Sequence, residues 1–240
     1  MRSYLHAPGG PPERLDDALD HGADALVVDL TQAGTGDERA RARAGTAQWL
    51  AAARPGPVWV RINAGEEGVL DARAVVAPAL AGVCVPGPES ATELAALAVV
   101  LAEAEEKLDL PIGTIRMAPV LASAAAVFAA PHLARAPRVH RLQLAEAELS
   151  ADLGIDPGPD GTELLWARSQ VVAASAAAGI APPVGALSPE VDDLAALRTS
   201  TLALRRLGFR GRACVHPAQL PVVHEVFSPD GIPVSPAPAG

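Results

Sequence analysis

Aromatic side chains make up only 3% of the 240 residues, so the interior has to be filled by small aliphatic groups, with helices packed closely on the elements they cover. Cysteine is nearly absent. Cys84 and Cys214 are too few for a disulfide framework, and both lie inside strand-like apolar runs, where buried structural thiols are expected. No apolar run reaches the ~18 residues of a membrane span. The opening Met1-Arg2-Ser3-Tyr4-Leu5-His6 also lacks the apolar stretch and small-residue cleavage site of a signal peptide, so a cytoplasmic protein is expected. Positive charge is in deficit: 19 Lys+Arg against 28 Asp+Glu give a formal net charge of -9. That balance argues against nucleic acid or an anionic membrane as the main partner, while leaving room for a local basic patch that holds an anionic cofactor.

What the chain does have is a rhythm of short apolar bursts and Ala/Leu-rich stretches, in a sequence that is 50% hydrophobic. Eight bursts of strand length are expected at residues 3–7, 25–30, 58–63, 82–85, 116–121, 139–144, 183–187 and 212–215. Helical stretches are expected at 13–21, 37–53, 90–107, 123–130, 161–178 and 217–227, with a loop at 31–36. Alternation of this kind at close to the roughly 250 residues of one barrel predicts a single-domain α/β fold, a TIM (β/α)8 barrel spanning residues 1–227. Residues 228–240, rich in Pro and Gly, are expected to form a loose tail.

In such a barrel function sits at the C-terminal ends of the strands. Those ends carry Pro8-Gly9-Gly10, Asp29, Arg61, Pro86-Gly87, Ala122-Ser123, Glu146 with Glu148, Ser188 and His216. The guanidinium of Arg61 keeps its charge and offers a planar fork suited to a carboxylate; the alternative is a structural ion pair with Asp29 on the adjacent strand. Glu146 and Glu148, two apart, would share a side and could hold Mg²⁺ if the strand persists. If a helix starts there instead, Glu148 is a capping charge on the turn that runs to Gly154. His216 is either an acid-base group or an orienting histidine. Arg14, Arg39 and Arg43 follow the first two strands near one rim, and either grip the phosphates of a nucleotide-like tail such as coenzyme A or are solvated helix charges.

Five segments resemble the HpcH/HpaI aldolase and citrate lyase β-subunit superfamily, specifically the CitE-like CoA-ester lyases. Arg2-Ser3 with Ala7-Pro8-Gly9-Gly10-Pro11-Pro12-Glu13-Arg14 resembles the family opening R-S-x-L-F-V-P-G-x-x-P-x-R. Gly22-Ala23-Asp24-Ala25 through Asp29-Leu30 resembles G-A-D-x-x-x-x-D-L-E-D, and Val58-Trp59-Val60-Arg61-Ile62-Asn63 resembles V-W-V-R-V-N. Glu148-Leu149-Ser150-Ala151-Asp152-Leu153-Gly154 resembles D-L-x-x-D-L-G, and Cys214-Val215-His216-Pro217-Ala218-Gln219 resembles C-I-H-P-x-Q.

The resemblance implies a TIM barrel assembled as a homo-oligomer, a trimer or hexamer. It also implies a reaction that cleaves or forms a carbon-carbon bond in a 3-hydroxyacyl-CoA ester of the citryl-, citramalyl- or malyl-CoA type. It implies Mg²⁺ held by a Glu after the fifth strand and an Asp after the sixth, and a 2-oxoacid bound by Arg61, with Asp29 and Gly9 beside it. Carried over by position, the metal Glu falls on Ala122 and the metal Asp on Glu148, with Glu146 as a compensating ligand. The family's E-D after the second strand has become Thr31-Gln32, and the lysine of P-K-x-E-S has become Gly87. Two functional expectations follow: a lyase with an altered metal site, or a paralogue that has lost the chemistry and binds an acyl-CoA or a carboxylate, or supports a partner enzyme as a non-catalytic subunit. A metal-independent thioesterase is a third.

Overall fold

Ala25, Leu26, Val27, Val28 and Asp29 are all buried, the mark of a parallel strand covered on both faces. In the computed structural model, which describes residues 1–52, 56–188 and 191–228, that segment is β2 of a closed parallel barrel whose strands neighbour one another in chain order. The others are β1 (Ser3–Pro8), β3 (Val58–Arg61), β4 (Leu80–Pro86), β5 (Arg116–Leu121), β6 (Gln143–Leu144), β7 (Val184–Gly185) and β8 (Gly211–Cys214). Around them run α1 (Pro12–Leu19), α2 (Gly36–Ala51), α3 (Gly65–Val75), α4 (Ala91–Lys107), α5 (Ala124–Leu133), α6 (Glu146–Leu153), α7 (Leu165–Ala178), α8 (Leu194–Leu207) and α9 (Leu220–Phe227). The expected barrel is the observed one. The expected tail, apart from Ser228, lies outside the described residues.

Alternation along each strand divides the core in two. Leu5, Leu26, Val28, Val60 and Ile62 point outward and meet the helices. Tyr4, Val27, Trp59, Cys84, Val120 and Ala213 point into the barrel. Polar caps fix where the helices begin: Thr35 forms a capping box with Glu38, and Ser90, Ser123 and Asp193 each accept a backbone N–H at the start of α4, α5 and α8.

Several expected boundaries change, each for a local reason. The loop expected at 31–36 opens with a 3-10 turn, Leu30–Gln32, nucleated by the Asp29 side chain accepting from the Thr31 N–H. Helices α3 and α8 occupy stretches that the sequence pattern did not delimit. The sixth strand does not run from 139 to 144: Arg138 has φ 64 and Val139 makes only a bridge to Met117, so regular pairing begins at Gln143. Pro119 is tolerated inside β5 because residues 117, 119 and 121 direct their backbone groups toward β6, and the proline falls opposite the irregular stretch before Gln143. The seventh strand keeps only Val184–Gly185.

Candidate functional site

Asp29 ends β2 and Arg61 ends β3, and the parallel register places them side by side at the C-terminal mouth. Asp29 is buried, and burial alone would raise its pKa. Its partners win. His6, hydrogen bonds from Thr31 and the charge of Arg61 hold it well below the usual carboxylate range. Its Oδ1 accepts from the Thr31 N–H at 2.9 Å and the Thr31 hydroxyl at 2.6 Å, and its Oδ2 accepts from Gln32 Nε2 at 3.2 Å. Thr31 and Gln32, where the family pattern has acids, thus serve as donors to the one carboxylate that stays.

Arg61 is different. Its terminal nitrogens lie 3.7 Å from Asp29 and 3.6 Å from Glu148, too far for hydrogen bonds, and its buried Nε has no acceptor among the described residues. A guanidinium with its donors unused, flanked by two carboxylates and 17% exposed, is held in place by charge while its fork stays available. Asn63 fixes the turn just beyond it: the Asn63 backbone N–H and Nδ2 each donate to Asp71 Oδ2 at 2.8 Å.

Of the two alternatives for Glu146 and Glu148, a shared strand face or a helix start, the second is observed. They begin α6, where two residues are ~200° apart around the helix axis. Glu146 instead receives the fork of Arg168, with Nε and Nη2 both at 2.7 Å. Its carboxylate is therefore committed and does not compensate for a missing metal ligand. Glu148 stays about half exposed beside Arg61. Ala122 presents a methyl group where the family pattern calls for a glutamate. Ser123 next to it is spent as the α5 cap and donates to Glu89 at 2.8 Å. Among the described residues no three His, Cys, Asp or Glu side chains gather as a metal site. Glu148 shares its charge with Arg61 and the Asp29 oxygens are taken up by Thr31 and Gln32, a poor donor set for Mg²⁺, which requires near-octahedral oxygen coordination. The magnesium implied by the resemblance does not fit these residues.

The β1–α1 loop, the turn after β2 and one face of α2 line a groove of about 590 Å³. Gly9 and Gly45 make it possible. A Cβ on Gly9 would lie 2.6 Å from Leu30 Cδ2, and one on Gly45 would lie 2.6 Å from the Gly10 carbonyl oxygen. Glu38, Arg41, Ala42, Gly45 and Gln48 form the helical stripe that faces the groove, with Arg14 opposite. Helical phase corrects the expected phosphate grip. Arg43 turns to α3 and pairs with Glu67 and with Asp71, the latter at 2.6 Å, while Arg39 donates to the Gly34 carbonyl at 3.2 Å. Arg14 and Arg41 are the arginines that line the groove. Arg41 was legible from the i, i+3, i+4, i+7 spacing of Glu38, Arg41, Ala42 and Gly45.

His216 caps the 3-10 turn Pro217–Gln219, its Nδ1 accepting from the Ala218 N–H at 3.2 Å. Cys84 and Cys214 are buried, and burial pushes both thiols up to about 12. His6 was missed. It lies below the mouth with Nδ1 4.0 Å from Asp29 and both ring nitrogens buried without a hydrogen-bond partner among the described residues. Its alternation with Tyr4 and Pro8 along β1 marks it as inward-facing.

Comparison with known proteins shows the family and the fold. The family model described as HpcH/HpaI aldolase/citrate lyase matches residues 2–217. A citrate lyase subunit beta-like protein of Deinococcus radiodurans is 33% identical over 95% of this chain and 80% of its own length. A (3S)-malyl-CoA thioesterase of Cereibacter sphaeroides is 28% identical over 95% of this chain and 78% of its own. The citrate lyase beta subunit of M. tuberculosis, solved with oxaloacetate and magnesium, superposes with a TM-score of 0.77. It covers 95% of this chain and 96% of its own at 24% identity, and so shares the fold.

Proposed function

Because the chain belongs to the HpcH/HpaI aldolase/citrate lyase family, we propose that it binds a CoA ester or 2-oxoacid bearing a carboxylate at the mouth of its barrel and does so without magnesium. The observation that carries this reading is Arg61, a guanidinium at the strand end whose donors are unused by the described residues. The ligand's carboxylate takes that fork, Asp29 holds the cation in register, and the groove between Arg14 and Arg41 receives the anionic part of the CoA moiety. Carbon-carbon cleavage needs an enolate and a carbonyl oxygen stabilised as charge develops on them. With Ala122 in place of the pattern's glutamate, Glu146 committed to Arg168 and Asp29 hydrogen-bonded by Thr31 and Gln32, the carboxylates described at this mouth are poorly placed to bring a metal to that task. The protein therefore acts as a ligand-binding paralogue with residual lyase activity at most.

A second reading is favoured by the malyl-CoA thioesterase relative: hydrolysis of the thioester, which leaves the carbon-carbon bond intact. One assay separates the readings. Binding of malyl-CoA and citramalyl-CoA is measured by calorimetry, and free thiol and 2-oxoacid are followed in parallel. Binding in the micromolar range with turnover below about 0.01 s⁻¹, against the 1–10³ s⁻¹ usual for enzymes, is the expected result. Thiol release without oxoacid establishes the thioesterase, and oxoacid at an ordinary rate without free thiol, the CoA product remaining an acyl thioester, establishes the lyase. The homo-oligomer belongs to the same proposal. It is supported by the exposed aromatic pair Phe128 and Trp166, in tilted contact at 5.1 Å, which a second copy would cover.

A further inference from the structure

At the opposite, N-terminal end of the barrel, positive charge gathers. Arg141, just before β6, is 9% exposed. Its Nη1 donates to the Tyr4 hydroxyl, its Nη2 meets His140 Nε2 at 3.0 Å, and its guanidinium carbon lies 5.1 Å from the centre of the Tyr4 ring. Arg116 opens β5 in the same layer, and neither arginine is paired with a carboxylate among the described residues. Asp24, whose charge reaches Tyr4, is taken by Arg2 at 2.8 Å. Burial first, then the two arginines, lowers His140 to about 4, so the imidazole is neutral and adds an acceptor without adding charge. Burial likewise raises Tyr4 to about 12, which keeps the phenol from acting as the missing anion.

Two buried donors flank that imidazole and reach no acceptor among the described residues: Arg141 Nε and Trp59 Nε1. The Trp59 ring stacks on His140 with centroids 6.0 Å apart. Ala25, Ala81, Ala118 and Ala213 supply small side chains in the same inner cluster. A buried guanidinium left unpaired is costly, and so is a buried N–H without an acceptor. A single anion small enough to sit among alanines and reach both donors would remove both costs.

We propose that the barrel floor is a binding site for a compact monovalent anion, a halide or a small monocarboxylate, held by Arg141, Trp59 and Arg116. The site is distinct from the mouth at Arg61 and does not depend on the function assigned there. The test is thermal unfolding of the wild-type protein at constant ionic strength, with gluconate replaced stepwise by chloride or by formate. The same series is run in an Arg61→Met background to remove any contribution from the mouth. A saturable rise of about 5 °C is expected from mass-action linkage. A response to chloride identifies a halide site, and a response to formate alone identifies a carboxylate site. Arg116→Ala, at the more open edge, should abolish most of the rise while the protein stays folded, and Arg141→Met should abolish it entirely. A bromide-soaked crystal should show anomalous density at Arg141 Nε. Equal unfolding temperatures in gluconate and in both small anions, or a rise that survives Arg116→Ala, would overturn the proposal.

Discussion

Arg61→Met is expected to weaken binding of oxaloacetate and of carboxylate-bearing CoA esters about a hundredfold, with little change in the fold. Truncating one partner of a largely desolvated, charge-assisted pair costs 2–5 kcal/mol, and about 3 kcal/mol corresponds to that factor in Kd. The fold survives because Asp29, the carboxylate left behind, keeps the Thr31 N–H, the Thr31 hydroxyl and Gln32. Arg61→Lys separates charge from shape. It restores the cation without the planar fork, so affinity should fall between the two, about tenfold below wild type. Calorimetric titration of both variants reads this directly, and an Arg61→Met protein that binds as tightly as wild type removes the arginine from the site.

The second large effect concerns stability. Glu105 of α4 is fully buried and accepts four hydrogen bonds: from the Gly113 N–H at 2.9 Å, the Ile115 N–H at 2.7 Å, and Arg138 at 2.9 and 2.7 Å. Glu105→Ala strands the buried Arg138 cation and two backbone donors together. A loss of about 3–5 kcal/mol is expected, since breaking a buried pair from one side leaves an uncompensated charge. At about 2–4 °C per kcal/mol for a chain of this size, the unfolding midpoint should drop roughly 10 °C. Glu105→Gln, which keeps an acceptor for the N–H groups, should lose about half as much. Adding Arg138→Met to Glu105→Ala should recover part of the loss, and strictly additive effects would show that the two side chains are not coupled.

The barrel was legible because buried parallel strands write themselves as continuous apolar runs, and β5 was read to the residue even with Pro119 inside it. What escaped has a common physical cause. The short β6 and β7 depend on their neighbours and on Arg138 at positive φ, none of which leaves a hydrophobic period in the sequence. Glu146 and Glu148 sit where a strand ends and a helix begins. Their relative direction turns on which period applies, and the helical one sends Glu146 to Arg168, 22 positions away. Arg39, Arg41 and Arg43 look alike in sequence. The capping box at Thr35 sets the phase of α2, and that phase alone puts Arg41 in the groove and turns Arg43 toward Asp71. The position of Arg61 at the mouth was plain from the end of its strand. That its hydrogen-bonding capacity is unused could be learned only from the folded chain, where Thr31 and Gln32 satisfy Asp29 and leave the arginine to charge alone.

The claim on which the account rests is that this mouth holds a carboxylate through Arg61 without a metal. Calorimetric titration of oxaloacetate into the chelator-treated protein, repeated with magnesium added, tests it most directly. The account predicts the same dissociation constant in both conditions to within about threefold. Binding that appears only with magnesium and is lost in Glu148→Ala would contradict it and show that Glu148 anchors a working metal site.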